Sequence, residues 1–390
     1  MRSSSPDIVK NVALKYGINC IFIEPDPRHA EIVISQLGLS SGSAKAVTTP
    51  CEKNDEYYDD RTLEKPELCK AYRSLCMRLG FLAMDAPHLS YTVNKCCKYM
   101  SRPTVGGWAR IKRVGRFLLG EPRCVQAFKL QHHNGSIDVY TDSDWAGDLL
   151  DRKSTSSVFV FHGVRSVKHT VSSQTVIALS SGEAEFAANV KGASVGLGAK
   201  SLMVDLGGDP TMELRVHTDS SASKGICGRR GIGKVRHLHT PLLWIQQKAN
   251  GKELTVNKTD GKYNVADLGT KELGRRDMDR HLVAAGFEFV KGRHPLALAA
   301  QVDSPEDGLS GYGGSGDVGG ISRSATSATA CGSFGRLAVT RERDGPRAQL
   351  LRGPWPRSTT RTERPSGPRR QRAEELTASR GGLSPFSAFH

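Results

Sequence analysis

Ser136-Ile137-Asp138-Val139-Tyr140-Thr141-Asp142-Ser143-Asp144-Trp145 begins as an alternation of apolar and polar side chains and ends in a cluster of acids and hydroxyls. The period of two predicts a strand over Ser136–Asp142, with Ile137 and Val139 on one face and Asp142 at its end. Downstream, Val158–Phe161 (VFVF) and Ser166–Val171 read as two more strands, giving a three-strand meander. A helix opens at Ser180, with Glu183 three residues later as a capping box, and runs to about Leu206 despite several glycines. Leu214–Thr218 is a fourth strand, followed at once by a helix from Ser220. Then come an amphipathic stretch, Leu242–Lys248, a fifth strand, Glu253–Asn257, and a last helix capped by Asn264. Three strands, helix, strand, helix, strand, helix is a mixed α/β order, whose fourth strand must leave the meander through a helical crossover.

Four acids fall where this order would gather them. Asp142 ends the first strand, Glu185 lies in the first turns of the SSGEAEF helix, Asp219 ends the fourth strand in VHTDSSAS, and Asp267 begins the last helix in NVADLGTK. Neighbouring parallel first and fourth strands would project Asp142 and Asp219 from one sheet edge, within reach of an acid from each covering helix. Like charges at short range raise each other's pKa, so such a cluster makes chemical sense with a neutralising cation. Hard oxygen ligands select Mg2+ or Mn2+. Two such ions about 4 Å apart can activate a water and stabilise the leaving oxygen of a phosphodiester, which predicts metal-dependent phosphodiester hydrolysis. Each acid also has a simpler reading: Asp267 as charge complementing a helix dipole, Asp219 as an N-cap, Glu183 or Glu185 as a capping residue.

Outside this region the chain changes character twice. Residues 1–135 read as mainly helical: Leu68–Ser90 places Leu68, Tyr72, Leu75, Leu79 and Leu82 at helical spacing before Pro87 stops it, and Trp108–Leu119 carries Ile111, Val114 and Leu118 on one side. From Gln301 the chain turns Gly-, Ser- and Arg-rich with no apolar period, and lysine disappears after Lys291. Such a segment cannot bury enough apolar surface to offset its chain entropy, so 301–390 is expected to be disordered, with 276–300 a helical extension before it. The formal charge of +15 over 390 residues suggests a polyanionic partner. Nine cysteines without a CxxC pair or zinc spacing read as reduced intracellular thiols rather than as a disulfide scaffold. The N-terminus has no secretory signal, and no apolar run reaches the roughly 18 residues needed to span a bilayer. An intracellular protein, cytoplasmic or nuclear, with no membrane partner and no small-molecule cofactor is expected.

TDSDWAGD followed by DRKSTS, ALSSGEAEF, TDSSAS, RRGIGKVRH and VADLGTK resembles the ribonuclease H domain of copia-type retrotransposon Pol polyproteins, block by block and in order. Upstream, DPRHAEIVISQLGL, TTP, AYRSLCMRLGFLAMDAPHLSYTVNKCCKYMSRP and WARIKRVGRFLLG resemble the thumb and connection region of the same polyproteins. The resemblance implies an α/β, RNase H-like fold over 136–275: a mixed five-stranded sheet with flanking helices, preceded by a mainly helical reverse transcriptase remnant over 1–135 and followed by a disordered tail. It also implies that Asp142, Glu185, Asp219 and Asp267 are the four metal-binding catalytic carboxylates, with Glu185 preferred to Glu183 and Asp142 to Asp144. The implied substrate is the RNA strand of an RNA–DNA hybrid, gripped through its backbone and 2′-hydroxyls.

Two motifs mislead. Tyr57-Tyr58-Asp59-Asp60 looks like a polymerase YxDD signature, but it sits in a charged linker rather than an apolar hairpin, so no reverse transcriptase activity is expected. Gly228–Lys234 (GRRGIGK) fits the start of a P-loop, yet Val235 stands where Ser or Thr would hold Mg2+. A basic loop touching phosphates is the better reading, with Arg229, Arg230, Lys234 and Arg236 as candidates, and a merely solvated loop as the alternative. His239 where the family has an acid, and Val171 where it has a Trp, leave open a catalytically inactive nucleic-acid-binding relic.

Overall fold

The computed structural model describes residues 20–41, 44–131, 135–233, 240–295 and 297–298. Lys234, Arg236, His239 and the tail from Gln301 lie outside the described residues. The elements, in chain order, are β1 (Cys20–Ile23), α1 (Pro27–Gln36), α2 (Pro66–Asp85), α3 (Pro87–Cys97), α4 (Val105–Gly120), β2 (Cys124–Lys129), β3 (Ser136–Asp144), β4 (Thr155–His162), β5 (Arg165–Ser173), α5 (Ser181–Asp205), β6 (Glu213–Thr218), α6 (Ser221–Gly228), α7 (Trp244–Asn250), β7 (Thr255–Lys258), α8 (Arg275–Ala284) and β8 (Phe287–Phe289).

The main sheet has the order β5-β4-β3-β6-β7. The meander β3–β4–β5 is antiparallel, while β6 pairs parallel with β3 and β7 parallel with β6. This is the α/β, five-stranded mixed sheet expected for residues 136–275. Parallel pairing needs a crossover, and α5 supplies it between β5 and β6. The α5 helix lies unusually close to the sheet because of its glycines. A Cβ on Gly192 would stand 2.3 Å from the Thr141 side chain, and one on Gly196 would stand 2.7 Å from Leu214 and from Val139. Those glycines cost helix propensity but permit the approach.

The strand β4 is buried along its length up to Phe161, with Val158 and Val160 in one core and Phe159 and Phe161 in another. The first core lies under α5, α6 and α7, with Phe186, Leu214, Ile226 and Ile245. The second is the larger and is built from the N-terminal helices: Tyr72, Leu75 and Leu79 of α2, Leu89 of α3, and Ile111 and Phe117 of α4 pack with Phe159, Phe161 and Leu268. The helices before residue 136 therefore cover the second face of the main sheet. All of these elements belong to one compact unit. Polar contacts fasten the layers, among them Nε2 of His169 on the Ala83 carbonyl at 2.8 Å and Gln126 Nε2 donating to the Ser166 carbonyl at 2.7 Å.

Several local expectations need correction. Pro87 ends one helix but also begins another, occupying the first turn of α3, where its missing N–H costs nothing. Asn264 caps a short 3-10 helix, Val265–Gly269, not a long last helix; the long helix, α8, begins only at Arg275. Residues 276–300 are not all helical, because β8 follows α8 and pairs antiparallel with β2. With β1 they form a second, three-stranded sheet that no local pattern announces. Tyr57 and Tyr58 lie in a 3-10 helix, Asp55–Tyr58, rather than a strand hairpin. Cys51, Cys69, Cys76, Cys96, Cys97, Cys124 and Cys227 are free thiols, and among the described residues no helix is long and apolar enough to cross a membrane.

Candidate metal centre

The register of the parallel pair places two acids side by side. Tyr140 of β3 is level with His217 of β6, so Asp142 and Asp219, each two residues further, leave the same sheet edge together. Asp142 is buried, 1% exposed, and still paired with Ser157 of β4. Thr141, Asn189 and Ser223 form a buried hydrogen-bonded chain that ties β3 to α5 and α5 to α6, fixing the elements that carry or follow the acids. Gln174 adds a second tie: its amide contacts Ser143 Oγ at 3.1 Å, Ser156 Oγ at 2.9 Å and the Ala184 carbonyl, next to Glu185, at 2.8 Å.

The structure brings Asp142, Glu185 and Asp219 together, with one carboxylate oxygen of each within 4.8 Å of the others. Asp267 stands beside this triad, bridged to it by Lys271, whose Nζ is 2.8 Å from Asp267 Oδ1 and 3.5 Å from Asp142 Oδ2. The Thr270 hydroxyl donates to Asp142 Oδ2 as well. Asp144 points elsewhere: it accepts from the Thr155 N–H and pairs with Lys95 at 3.4 Å.

Neighbouring residues perform the capping roles that could have explained these acids. Ser180 Oγ accepts from the Glu183 N–H at 3.2 Å and Glu183 accepts from the Leu179 N–H at 2.7 Å, so the α5 N-terminus is satisfied without Glu185. Ser220, not Asp219, caps α6 through a 3.2 Å bond from the Ser223 N–H. Asn264, not Asp267, accepts from the Ala266 N–H. None of the three carboxylates is needed as a helix cap.

Their electrostatics are unfavourable as they stand. Burial, then the charges of Asp142 and Asp219, push the Glu185 carboxyl up to about 9. Burial and Asp142 raise Asp267 to about 7 and also lift Asp219. Glu185 Oε2 is buried with no hydrogen-bond partner. An orphaned carboxylate oxygen facing two further carboxylates fits a divalent cation bound by hard oxygen donors, since that would satisfy the lone pairs and reverse the pKa shifts together.

The predicted basic loop is only partly presented. Arg230 is exposed, whereas the Arg229 guanidinium folds back onto the Ile232 carbonyl. Gln246 braces the loop by accepting from the Gly231 N–H at 2.9 Å and donating to its carbonyl at 3.0 Å. The residues that sequence reasoning missed are Thr270, Lys271 and Gln174. The first two sit inside the quoted VADLGTK block, where the i, i+4 spacing from Asp267 to Lys271 was the available signal. Gln174 lies in a connection whose role depends on three distant elements, so no local pattern marks it.

Strand order, strand directions and the placing of acids near the end of β3, just after β6 and in the second turn of α5 define an RNase H-like domain. No family model matches the chain. It is 28% identical over 234 residues to the retrovirus-related Pol polyprotein from transposon RE2 of Arabidopsis thaliana, covering 60% of this chain and 16% of that polyprotein. The corresponding polyprotein from transposon RE1 of Arabidopsis thaliana is 28% identical over 236 residues, again 60% of this chain and 16% of the relative. Among solved structures, LC11-RNase H1, isolated from compost, aligns over 35% of this chain and 93% of its own, with 16% identity and a TM-score of 0.23. The chain is thus similar to the retrovirus-related Pol polyproteins of transposons and spans 16% of the length of the RE2 and RE1 relatives.

Proposed function

We propose that residues 136–275 act as a Mg2+-dependent ribonuclease H that hydrolyses the RNA strand of RNA–DNA hybrids, with Asp142, Glu185, Asp219 and Asp267 holding two divalent ions. The observation that carries this reading is the convergence of three carboxylates from β3, α5 and the end of β6 within 4.8 Å, one of them with an unpartnered buried oxygen. Mg2+ or Mn2+ bound there supplies activation of a water and charge stabilisation at the leaving oxygen of a phosphodiester. The chain's part is to hold the ligands: Asp142 and Asp219 stand at the ends of paired strands, and Glu185 is fixed by a capped helix that cannot rotate without breaking the Asn189 and Gln174 contacts. Asp144 is kept out of the cluster by Lys95. Arg230, exposed in the basic loop, would meet phosphates, and 2′-hydroxyl contacts would distinguish the RNA strand. Residues 1–135 are assigned to the thumb and connection region of the polyprotein, in keeping with their helical content and their packing on the sheet.

The direct test is incubation of the purified chain with an end-labelled RNA–DNA hybrid and Mg2+. Endonucleolytic cuts in the RNA strand are expected from wild type and not from Asp142→Asn. Absence of cutting by wild type, or equal cutting by the variant, would sink the proposal, and salt-sensitive binding without hydrolysis would identify an inactive relic instead.

A further inference from the structure

Within the acidic cluster, Lys271 is the single described side-chain cation in direct contact with the carboxylates, and it touches two of the four. Its ammonium is 2.8 Å from Asp267 and 3.5 Å from Asp142, while Thr270, the preceding residue, also bonds Asp142. The Lys271 side chain is 44% exposed, so it reaches into the cluster from solvent rather than being walled in. Asp267 and Asp142 side chains are, by contrast, only 12% and 2% exposed. A flexible four-carbon stem carrying a compact charge can therefore enter and leave while the carboxylates stay fixed.

We infer that Lys271 is a built-in stand-in for the metal: its ammonium neutralises the Asp142–Asp267 side of the cluster in the metal-free protein and must be displaced when a divalent ion binds. The inference rests on the metal reading of the site and deepens it by assigning Lys271 as a positioning residue that competes with the ion. Two carboxylates at 2.8 and 3.5 Å hold the ammonium in place of an ion they would otherwise share. The Glu185 oxygen, which Lys271 does not satisfy, remains orphaned and marks where the ammonium falls short of what an ion supplies. Lys271 thus preserves the arrangement at the cost of weaker metal affinity.

Isothermal titration of the full chain with Mn2+ tests this, together with melting in EDTA. Lys271→Gln keeps a hydrogen-bond donor to Asp267 without the charge, and Lys271→Arg keeps the charge. Removing one positive charge a few ångströms from the ion is expected to tighten Mn2+ binding by roughly tenfold or more. Lys271→Gln should also melt lower than wild type in EDTA and recover with Mn2+, while Lys271→Arg behaves as wild type in both measurements. Unchanged or weaker Mn2+ binding by a folded Lys271→Gln, with wild type binding normally, overturns the inference alone. No Mn2+ binding by wild type overturns the metal reading and this inference with it.

Discussion

Asn264 donates from Nδ2 to the main-chain carbonyl of Thr141 at 2.9 Å, joining residues 123 positions apart. Its Oδ1 caps the turn that carries Asp267, and its carboxamide is fully buried. One side chain thus sets the distance between the strand bearing Asp142 and the turn bearing Asp267. Asn264→Ala leaves a buried carbonyl and a helix end unsatisfied, and is expected to cost roughly 1–3 kcal/mol in urea unfolding. Divalent-ion affinity should weaken in the same variant, measured by titration under folding conditions.

Asp142→Asn should separate stability from activity. The amide can still accept from Thr270 but removes a charge that lifts the carboxyls of Glu185, Asp219 and Asp267. Cleavage should fall to background, while the melting temperature in EDTA stays level or rises. A large drop in that melting temperature would show that Asp142 has a structural role instead.

The raised carboxyls also fix a pH dependence. Asp267 at about 7 and Glu185 at about 9 stand above their ordinary values of 3.8 and 4.5, so the folded chain holds protons that the unfolded chain releases. Their contribution to metal-free stability is complete below the ordinary carboxylate range and is lost as pH rises through about 7 and then about 9. Each such group lowers stability by about 1.4 kcal/mol per pH unit over its window. Chemical denaturation in EDTA from the ordinary carboxylate range up to about pH 9 checks the slope, and saturating Mg2+ should flatten it.

The opposite dependence holds on the acid side. His88 is buried between Phe117 and Phe289, with ring centroids 5.5 and 5.0 Å away, and burial depresses its pKa from 6.5 to about 3. Its contribution is present above the ordinary histidine value and is lost as pH falls through about 3, a total of roughly 5 kcal/mol. His88→Phe should weaken the acid sensitivity of the chain in unfolding measured below neutral pH.

Lys95 and Asp144 form a buried pair between α3 and β3, with side chains 6% and 11% exposed. Lys95→Met leaves the carboxyl facing a protein interior and should cost roughly 3–5 kcal/mol. Burial already holds Asp144 up at about 6, so part of the loss should be recovered under mildly acidic conditions, where that carboxyl protonates. Unfolding curves on either side of that value check this.

The sheet and three of the four acids were legible because their signals are local. Alternation marks β3, SSGE marks the start of α5, and an acid where each apolar strand runs out marks Asp142 and Asp219. The second sheet was not legible: Phe287–Phe289 pairs with Cys124–Gln126 across more than half the described chain, and three residues give no periodicity. Nor was the partnership between the N-terminal helices and the sheet, because an apolar helix face does not say which surface it will cover. The backs of Phe159 and Phe161, read only as a continuous apolar strand, held that information without the address.

The placing of β8 bears on how the chain comes to be folded during synthesis. β2 lies between β1 and β8, so the β1–β2 pair keeps an unpaired edge until Phe287–Phe289 emerges. Asn264, Thr270 and Lys271, which brace Asp142, likewise emerge long after the strand they support. Asp142 and Asp219 are therefore both synthesised before the residues that brace them, and the last of the bracing residues to be made complete the acidic centre. Sequential growth from the N-terminus synthesises the helical layer and the meander first, and the bracing residues of the acidic centre afterwards.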